Sequence, residues 1–288
     1  TGQREAQRAA IAAKREAFVV SDVVSADDIG KLPDHNTAAA LRRIPGISVM
    51  EDQGEPRFPV IRGLRSTYNR TTIDGALVAS VDESGRTVPM DIVPSVMAGR
   101  LEVIKTVTPE NDGNAIGGVI NVILKQGGST EGSGRVMAAV ESYDGHELLA
   151  SGERSFGPVT VDGSVRRVRS DGYRDNSQLR QDVGSLGVQW KEGPWRASWR
   201  VQHDDQAAGL PGSLKLAEAR RDPRQASKPG DHGSVGETRQ QVQLGWQSTA
   251  WSAQVDAGQR ERDVHSLYSG SALNTTSRQS QVAPRVSW

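Results

Sequence analysis

The sequence predicts a small α+β domain over residues 18–126, a Gly/Ser-rich hinge at 127–134, and an antiparallel transmembrane β-barrel segment over 135–288. Three observations carry this. Short apolar runs bounded by turn residues fill the first part. Glycines crowd the junction. Beyond it, apolar and polar residues alternate with a period of two.

Residues 1–17 are charged, alanine-rich and built of strong helix formers, which suits an N-terminal tether. Val19, Val20, Val23 and Val24 read as a strand. A helix capped within Asp34–Thr37 and stopped by Pro45-Gly46 follows. Four short runs, Ile47–Val49, Pro59–Ile61, Thr71–Ile73 and Leu101–Ile104, are expected to form one sheet, with an Asp74-Gly75 turn. Two polar connections, Glu51–Arg57 and Ala79–Val88, are expected as loops. The Gly127–Gly134 stretch lacks the Lys-Ser/Thr and the following helix of a phosphate loop, so it reads as a hinge into the second part.

In the second part Trp195, Ala197, Trp199 and Val201 alternate with Arg196, Ser198, Arg200 and Gln202. Val159, Val161 and Val165 do so with Thr160, Asp162, Ser164 and Arg166, and the runs around Val242 and Val255 repeat the division. About eight strands fit the region. Tight turns are expected near Asp144-Gly145, Gly157-Pro158, Gly193-Pro194 and Ser248-Thr249. Long connections are expected at 171–177, 205–236 and 264–277. Membrane barrels alternate short and long connections in this way, whereas a soluble sandwich has no reason to. Trp190, Trp195, Trp246, Trp251 and Trp288 fall near strand ends on the short-turn side, as in an interfacial girdle, with Trp199 further in. In a barrel the polar faces, with Arg166, Arg196, Arg200, Asp256 and Arg260, line the lumen.

The 288 residues carry 35 Lys+Arg against 35 Asp+Glu, so no basic surplus points to nucleic acid. No run of 18 apolar residues spans a membrane as a helix, which leaves a barrel untouched. Nothing catalytic emerges: there is no cysteine, no Gly-x-Ser-x-Gly and no His-Glu-x-x-His, and five dispersed histidines lack ligand spacing. His203-Asp204-Asp205, the nearest metal-like cluster, reads as a solvated strand end. No catalytic residue, metal site or cofactor is expected.

The motifs Asp27–Asp34, Ala38–Ile47, Ile61-Arg62-Gly63-Leu64, Thr72-Ile73-Asp74-Gly75, Val107-Thr108-Pro109-Glu110 and Asn114–Ile123, with its Gly117-Gly118 turn, stand in an order that resembles the TonB-dependent outer-membrane receptors. The resemblance implies a plug domain followed by the first part of a barrel of about 22 strands. The TonB energy-coupling box is then expected upstream of Thr1, and the rest of the wall past Trp288. It implies the outer membrane of a Gram-negative bacterium, contact with outer-membrane lipid, and a periplasmic TonB partner. Energy-coupled uptake of a ferric siderophore or other ferric chelate, or of an oligosaccharide, follows from the same resemblance. Arg62 and Glu102 match the family's plug–barrel anchors. Arg57, Asp82, Glu83 and Arg86 in the plug loops, and Arg221 and Arg224 in the long barrel loop, are the ligand-binding candidates. The alternative is a soluble β-rich binding or adhesion module.

Overall fold

The computed structural model describes residues 21–25, 37–52, 55–73, 75–78, 87–88, 90, 98–106, 115–124 and 132–288. The chain divides into two compact units, residues 1–126 and 127–288. The expected tether at 1–17, the cap residues 34–36, the 107–110 motif, and Asp82, Glu83 and Arg86 lie outside the described residues.

The first unit is built on a five-stranded sheet. Its spatial order is β1 (Ser21–Ser25), β6 (Ala98–Ile104), β7 (Gly118–Leu124), β4 (Asn69–Ile73) and β5 (Ala76–Leu77). Only β4 and β7 run parallel. Leu101 and Val103 of β6 and Ile120 and Val122 of β7 are fully buried. Helix α1 (Thr37–Leu41) buries Ala38, Ala40 and Leu41 completely. Removing such apolar area from water is what drives these short elements together, since five residues of helix are unstable alone. Lys105 ties the layers at the end of β6: its Nζ reaches Asp22 Oδ2 of β1 at 2.5 Å and Pro45 O after the helix at 2.7 Å.

Three expectations change here. The helix ends at Leu41 rather than running to Pro45, because the amides of Arg42, Arg43 and Ile44 bond three residues back in a tightened last turn. β2 (Ile47–Asp52) and β3 (Glu55–Ile61) pair with each other as a separate two-stranded sheet instead of joining the main one. The predicted 51–57 loop is accordingly mostly strand. With Asp52 opposite Glu55, the connection is a two-residue hairpin, and such a short link can only fold its strands onto one another.

The Gly117-Gly118 turn has a clear steric reason. Gly118 has φ +135°, and a Cβ there would stand 2.6 Å from Ile104 O. A Cβ on Gly117 would collide with Asn69, whose Nδ2 donates to Pro59 O at 2.9 Å. We expect residues 18–126, expressed alone, to unfold cooperatively, and Gly118→Ala to cost that domain about 1–3 kcal/mol through backbone strain. Thermal circular dichroism checks both; a random-coil spectrum for the parent would remove the first.

The second unit is a single antiparallel sheet of eight strands in chain order. These are β8 (Ser133–Glu141), β9 (Gly145–Phe156), β10 (Val159–Ser170), β11 (Leu179–Glu192), β12 (Trp195–Gly209), β13 (His232–Gln247), β14 (Ser252–Tyr268) and β15 (Ser271–Ser287). Its burial is inverted relative to a water-soluble sheet. The apolar face stays exposed: Val140 is 83%, Val165 60%, Leu244 56% and Val282 71% accessible. On the other face Glu147, Arg166, Gln181, Asp204, Glu237, Asp256 and Arg260 are buried. Of the twenty buried apolar residues described, only Leu149 and Val183 belong to this sheet, so its inner side is not an oily core. Exposed apolar area of this extent on a folded sheet marks a surface that meets another apolar phase.

The tryptophan girdle holds together. Trp195 and Trp246 are direct ladder partners with ring centroids 6.5 Å apart, and Trp251 and Trp288 stand at 5.8 Å. Phe156 joins them, opposite Val159, which in turn faces Trp190. From Val159 to Val165 the apolar face of β10 runs seven residues, about 23 Å at 3.3 Å per residue.

Connections at the far end differ from expectation in two places. The 205–236 loop shrinks to 210–231, because β12 continues to Gly209 and β13 begins at His232. The 264–277 loop is no loop: β14 and β15 run to a two-residue turn at Ser269-Gly270, with φ +52° and +82°. Apolar residues such as Val264, Leu267 and Leu273 stand there among polar ones on both faces, so no period-two alternation marks the ladder and it reads like a loop in sequence. Cross-strand bonds from His265 to Asn274 and from Thr276 to Asp263 carry it. β8 starts at Ser133, so the last two residues of the expected hinge are strand.

Candidate functional site

The polar face of the eight-stranded sheet is wired across strands. Arg166 on β10 bonds Glu147 of β9 at 2.6 Å and Gln181 of β11 at 2.9 Å, and Gln181 bonds Asp204 of β12 at 3.3 Å. Arg200 grips Asp162 with two parallel bonds of 2.6 and 2.8 Å, the fork geometry that suits guanidinium and carboxylate. Glu237 stands among three guanidiniums: Arg239 in ion-pair contact, Arg260 at 2.8 Å and Arg262 at 3.9 Å. Asp256 pairs with Arg285 and accepts from Gln254 at 2.9 Å. Arg196 reaches Gln254 at 3.2 Å. All five predicted lumen residues thus lie on the polar face. The sequence placed Asp162 on this polar face without naming it as a partner, and the counter-charges Glu147 and Glu237, on the same face of their strands, could have been found by the same alternation.

The His203-Asp204-Asp205 cluster lies within β12 rather than at a solvated strand end, and alternation divides it between the two faces. Neighbours on a strand point to opposite faces, and Asp204 is buried while His203 and Asp205 are exposed. Nδ1 of His203 lies 2.9 Å from Thr238 Oγ1. Among the described residues no group of three potential ligands converges on a metal position.

At the loop end, the 210–231 connection carries a second helix, α2 (Leu216–Arg221), with exposed Lys215, Arg220, Arg221 and Arg224. The neighbouring 171–178 connection holds it by its backbone. Arg174 donates to Gly212 O at 2.6 Å, to Gln225 O at 2.9 and 3.2 Å and to Pro211 O at 3.4 Å. Asn176 Nδ2 lies 2.8 Å from Lys228 O, 2.7 Å from Asp231 O and 3.3 Å from Leu210 O. The Asp175 amide donates to Arg224 O at 2.7 Å. In return Arg224 donates to Tyr173 O at 3.2 Å and lies over the Tyr173 ring, which meets Tyr143 edge-on at 5.5 Å. Asp231 then takes the Ser269 amide of the last hairpin at 2.8 Å. Of the predicted ligand residues here, Arg221 is free of such ties among the described contacts, whereas Arg224 is partly spent on Tyr173. The roles of Arg174 and Asn176 were not legible, since nothing in a sequence says which carbonyls a side chain will meet.

In the first unit, Arg57 sits on β3 with its guanidinium 5.6 Å from the Phe58 ring centroid. Arg62 is exposed at φ +53°, and its amide donates to Gly46 O at 2.8 Å. Glu102 is engaged inside the sheet: Arg100 Nε donates to it at 2.7 Å and Asn121 Nδ2 at 3.1 Å. Asn121 Oδ1 meanwhile accepts from Thr72 Oγ1 at 2.8 Å and from the Gly75 amide at 3.0 Å, so β4, β6 and β7 share one polar junction.

Comparison with known proteins bears on both units. Residues 13–119 match the TonB-dependent receptor plug domain. The chain is 28% identical over 218 residues to the ferric enterobactin receptor of Pseudomonas aeruginosa, an alignment covering 62% of this chain and 28% of that protein. Its fold matches the ferric citrate transporter in the unliganded form with a TM-score of 0.76 at 17% identity, over 96% of this chain and 45% of the other. The ferric yersiniabactin uptake receptor of Yersinia pestis matches with a TM-score of 0.75 at 18% identity, over 93% and 45%. The chain therefore spans less than half the length of each of these relatives. The first unit thus matches the TonB-dependent receptor plug domain, and the chain across both units is similar in fold to the ferric-chelate receptors named above.

Proposed function

We propose that this chain supplies the plug and the first part of the wall of an energy-coupled outer-membrane receptor for a ferric chelate. One observation carries the reading: a plug-domain match stands in one chain with a sheet whose apolar face is exposed and whose charges pair on the opposite face. In water that inversion costs hydrophobic free energy across the whole band, whereas in a bilayer it is the stable arrangement. Both sheet edges, β8 and β15, then continue into further strands of a barrel of about 22, since an open edge is not tolerated in hydrocarbon. The apolar face contacts outer-membrane lipid in a Gram-negative cell.

The ligand is a ferric siderophore or other ferric chelate; the names of the relatives support this class. The residues proposed to contact it are Arg221 and Arg224 of the second unit and Arg57, Asp82, Glu83 and Arg86 of the first. A periplasmic TonB-type partner, drawing on the inner-membrane proton gradient, remodels the plug for release; no covalent step is needed, and no enzyme activity is assigned.

The test uses the complete receptor with iron-labelled ferric enterobactin and ferric citrate as probes. Shortening the Leu210–Asp231 connection should weaken probe binding by at least about tenfold while the barrel still shows heat-modifiable mobility on gels. Unchanged affinity for a bound probe would take this loop out of the site. A complete protein that stays monomeric in water without detergent would overturn the membrane reading and favour the soluble binding module.

A further inference from the structure

The 210–231 connection has 22 residues, a length at which loops ordinarily sample many paths. Here two side chains from a neighbouring connection fix it. Arg174 is half-buried and gives its donors to three carbonyls, those of Pro211, Gly212 and Gln225, which lie at both flanks of α2. Asn176 meets a second set, the carbonyls of Leu210, Lys228 and Asp231, at the two ends of the loop. Six carbonyls are thus gathered by two side chains only two residues apart. Asn176 holds a left-handed backbone, φ +55°, to do so. Non-glycine residues rarely take that conformation, although asparagine tolerates it better than most. Loop amides close the circle, with Ser227 and Lys228 donating to Pro211 O at 2.9 and 3.1 Å.

The outer edge left by this clasp carries the exposed cations Lys215, Arg220 and Arg221 beside exposed Asp222, with Glu218 accepting the Lys215 amide at the helix start, and Leu216 is 68% accessible. Arg220 and Arg221 are adjacent in the sequence and both exposed, a pair whose mutual repulsion an arriving anion relieves. A ligand that binds only the ordered path sees its apparent affinity reduced by the fraction of time that path is absent. Holding the path by its carbonyls beforehand removes that loss.

We propose that Arg174 and Asn176 are positioning residues for ligand capture, which keep the 210–231 connection in its ligand-ready path before any ligand binds. They touch the loop and not the ligand; the anion meets Arg220 and Arg221. The inference rests on the proposed role of this loop in binding a ferric chelate.

The experiment compares the complete receptor with two variants, Arg174→Met, which keeps the apolar stem and removes the donors, and Asn176→Gly, which removes the amide while allowing the left-handed backbone. Without ligand, hydrogen exchange at the amides of 211–231 should quicken by at least about tenfold in both, while the ladder amides of β11–β13 stay protected. Binding of the iron-labelled probe, ferric enterobactin or ferric citrate, should weaken by about tenfold, mostly through slower association. Arg174→Lys should restore neither, because a single ammonium cannot span carbonyls on both flanks of the helix. Unchanged exchange would show that the clasp does not hold the loop, and faster exchange with unchanged affinity would show that the path is irrelevant to capture; either overturns the proposal. If shortening the loop also leaves affinity intact, the binding reading itself has failed rather than the clasp.

Discussion

Glu237→Gln is expected to destabilise the wall by about 3–5 kcal/mol, the typical cost of leaving buried charge without its counter-ion. Glu237 has 6% side-chain exposure and answers three arginines, Arg239, Arg260 and Arg262, whose side chains are 10–15% exposed. Glutamine keeps the size and the hydrogen-bonding oxygen but removes the carboxylate charge that the three guanidiniums share across β13 and β14. Denaturant unfolding of the complete receptor in detergent measures the loss. Glu261→Gln serves as the control, since its pair with Arg278 is 45% and 63% exposed and such surface pairs contribute about 0–1 kcal/mol. Equal effects from the two substitutions would mean that the buried cluster is solvated and carries no special role.

Leu186→Arg is expected to impair insertion of the wall into lipid by about 2–4 kcal/mol. Leu186 lies on the apolar face of β11, 44% exposed, with Gly163 and Val201 opposite on the flanking strands. It stands midway between the girdle residue Trp190 and the charged stretch at Asp182, near the middle of the band. In a soluble module the same change would be close to neutral, because an exposed leucine would merely become an exposed arginine. Partitioning into lipid vesicles, with heat-modifiable mobility as the folding readout, separates the two cases; normal insertion of the variant would remove this face from the lipid.

Much of the architecture was written in local pattern. The parity of Trp195, Ala197, Trp199 and Val201 fixed which face of β12 is apolar, because a ladder with period two has only two choices. The junction glycines Gly117 and Gly118 stood out for the same reason, as no other residue fits beside Asn69 and Ile104. What failed depended on where local pattern stops being informative. Val264–Ser277 looks like a loop because apolar and polar residues are mixed on both faces of its strands, so no period-two alternation marks them. The pairing of β2 with β3 was missed since apolar content alone does not name a partner; the two-residue connection between Asp52 and Glu55 does. At the candidate site, charges such as Arg166 and Arg260 were readable one by one. Their partners, and the carbonyls gathered by Arg174 and Asn176, come from strands and loops that only folding brings together.

That backbone grip has a consequence for how freely the rim can be rebuilt. Carbonyl oxygens are the same at every residue, so Arg174 and Asn176 impose almost no demand on the side chains of the segment they hold. Positions such as Lys215, Ala217, Ala219, Arg220 and Arg221 can be exchanged while the path of the chain persists, provided that Gly212, with φ +71°, keeps its turn. The loop is in this sense a chassis: a library randomised over α2 should yield receptors that share one scaffold and differ in what they recognise, with the two clasp residues as the fixed points of the design.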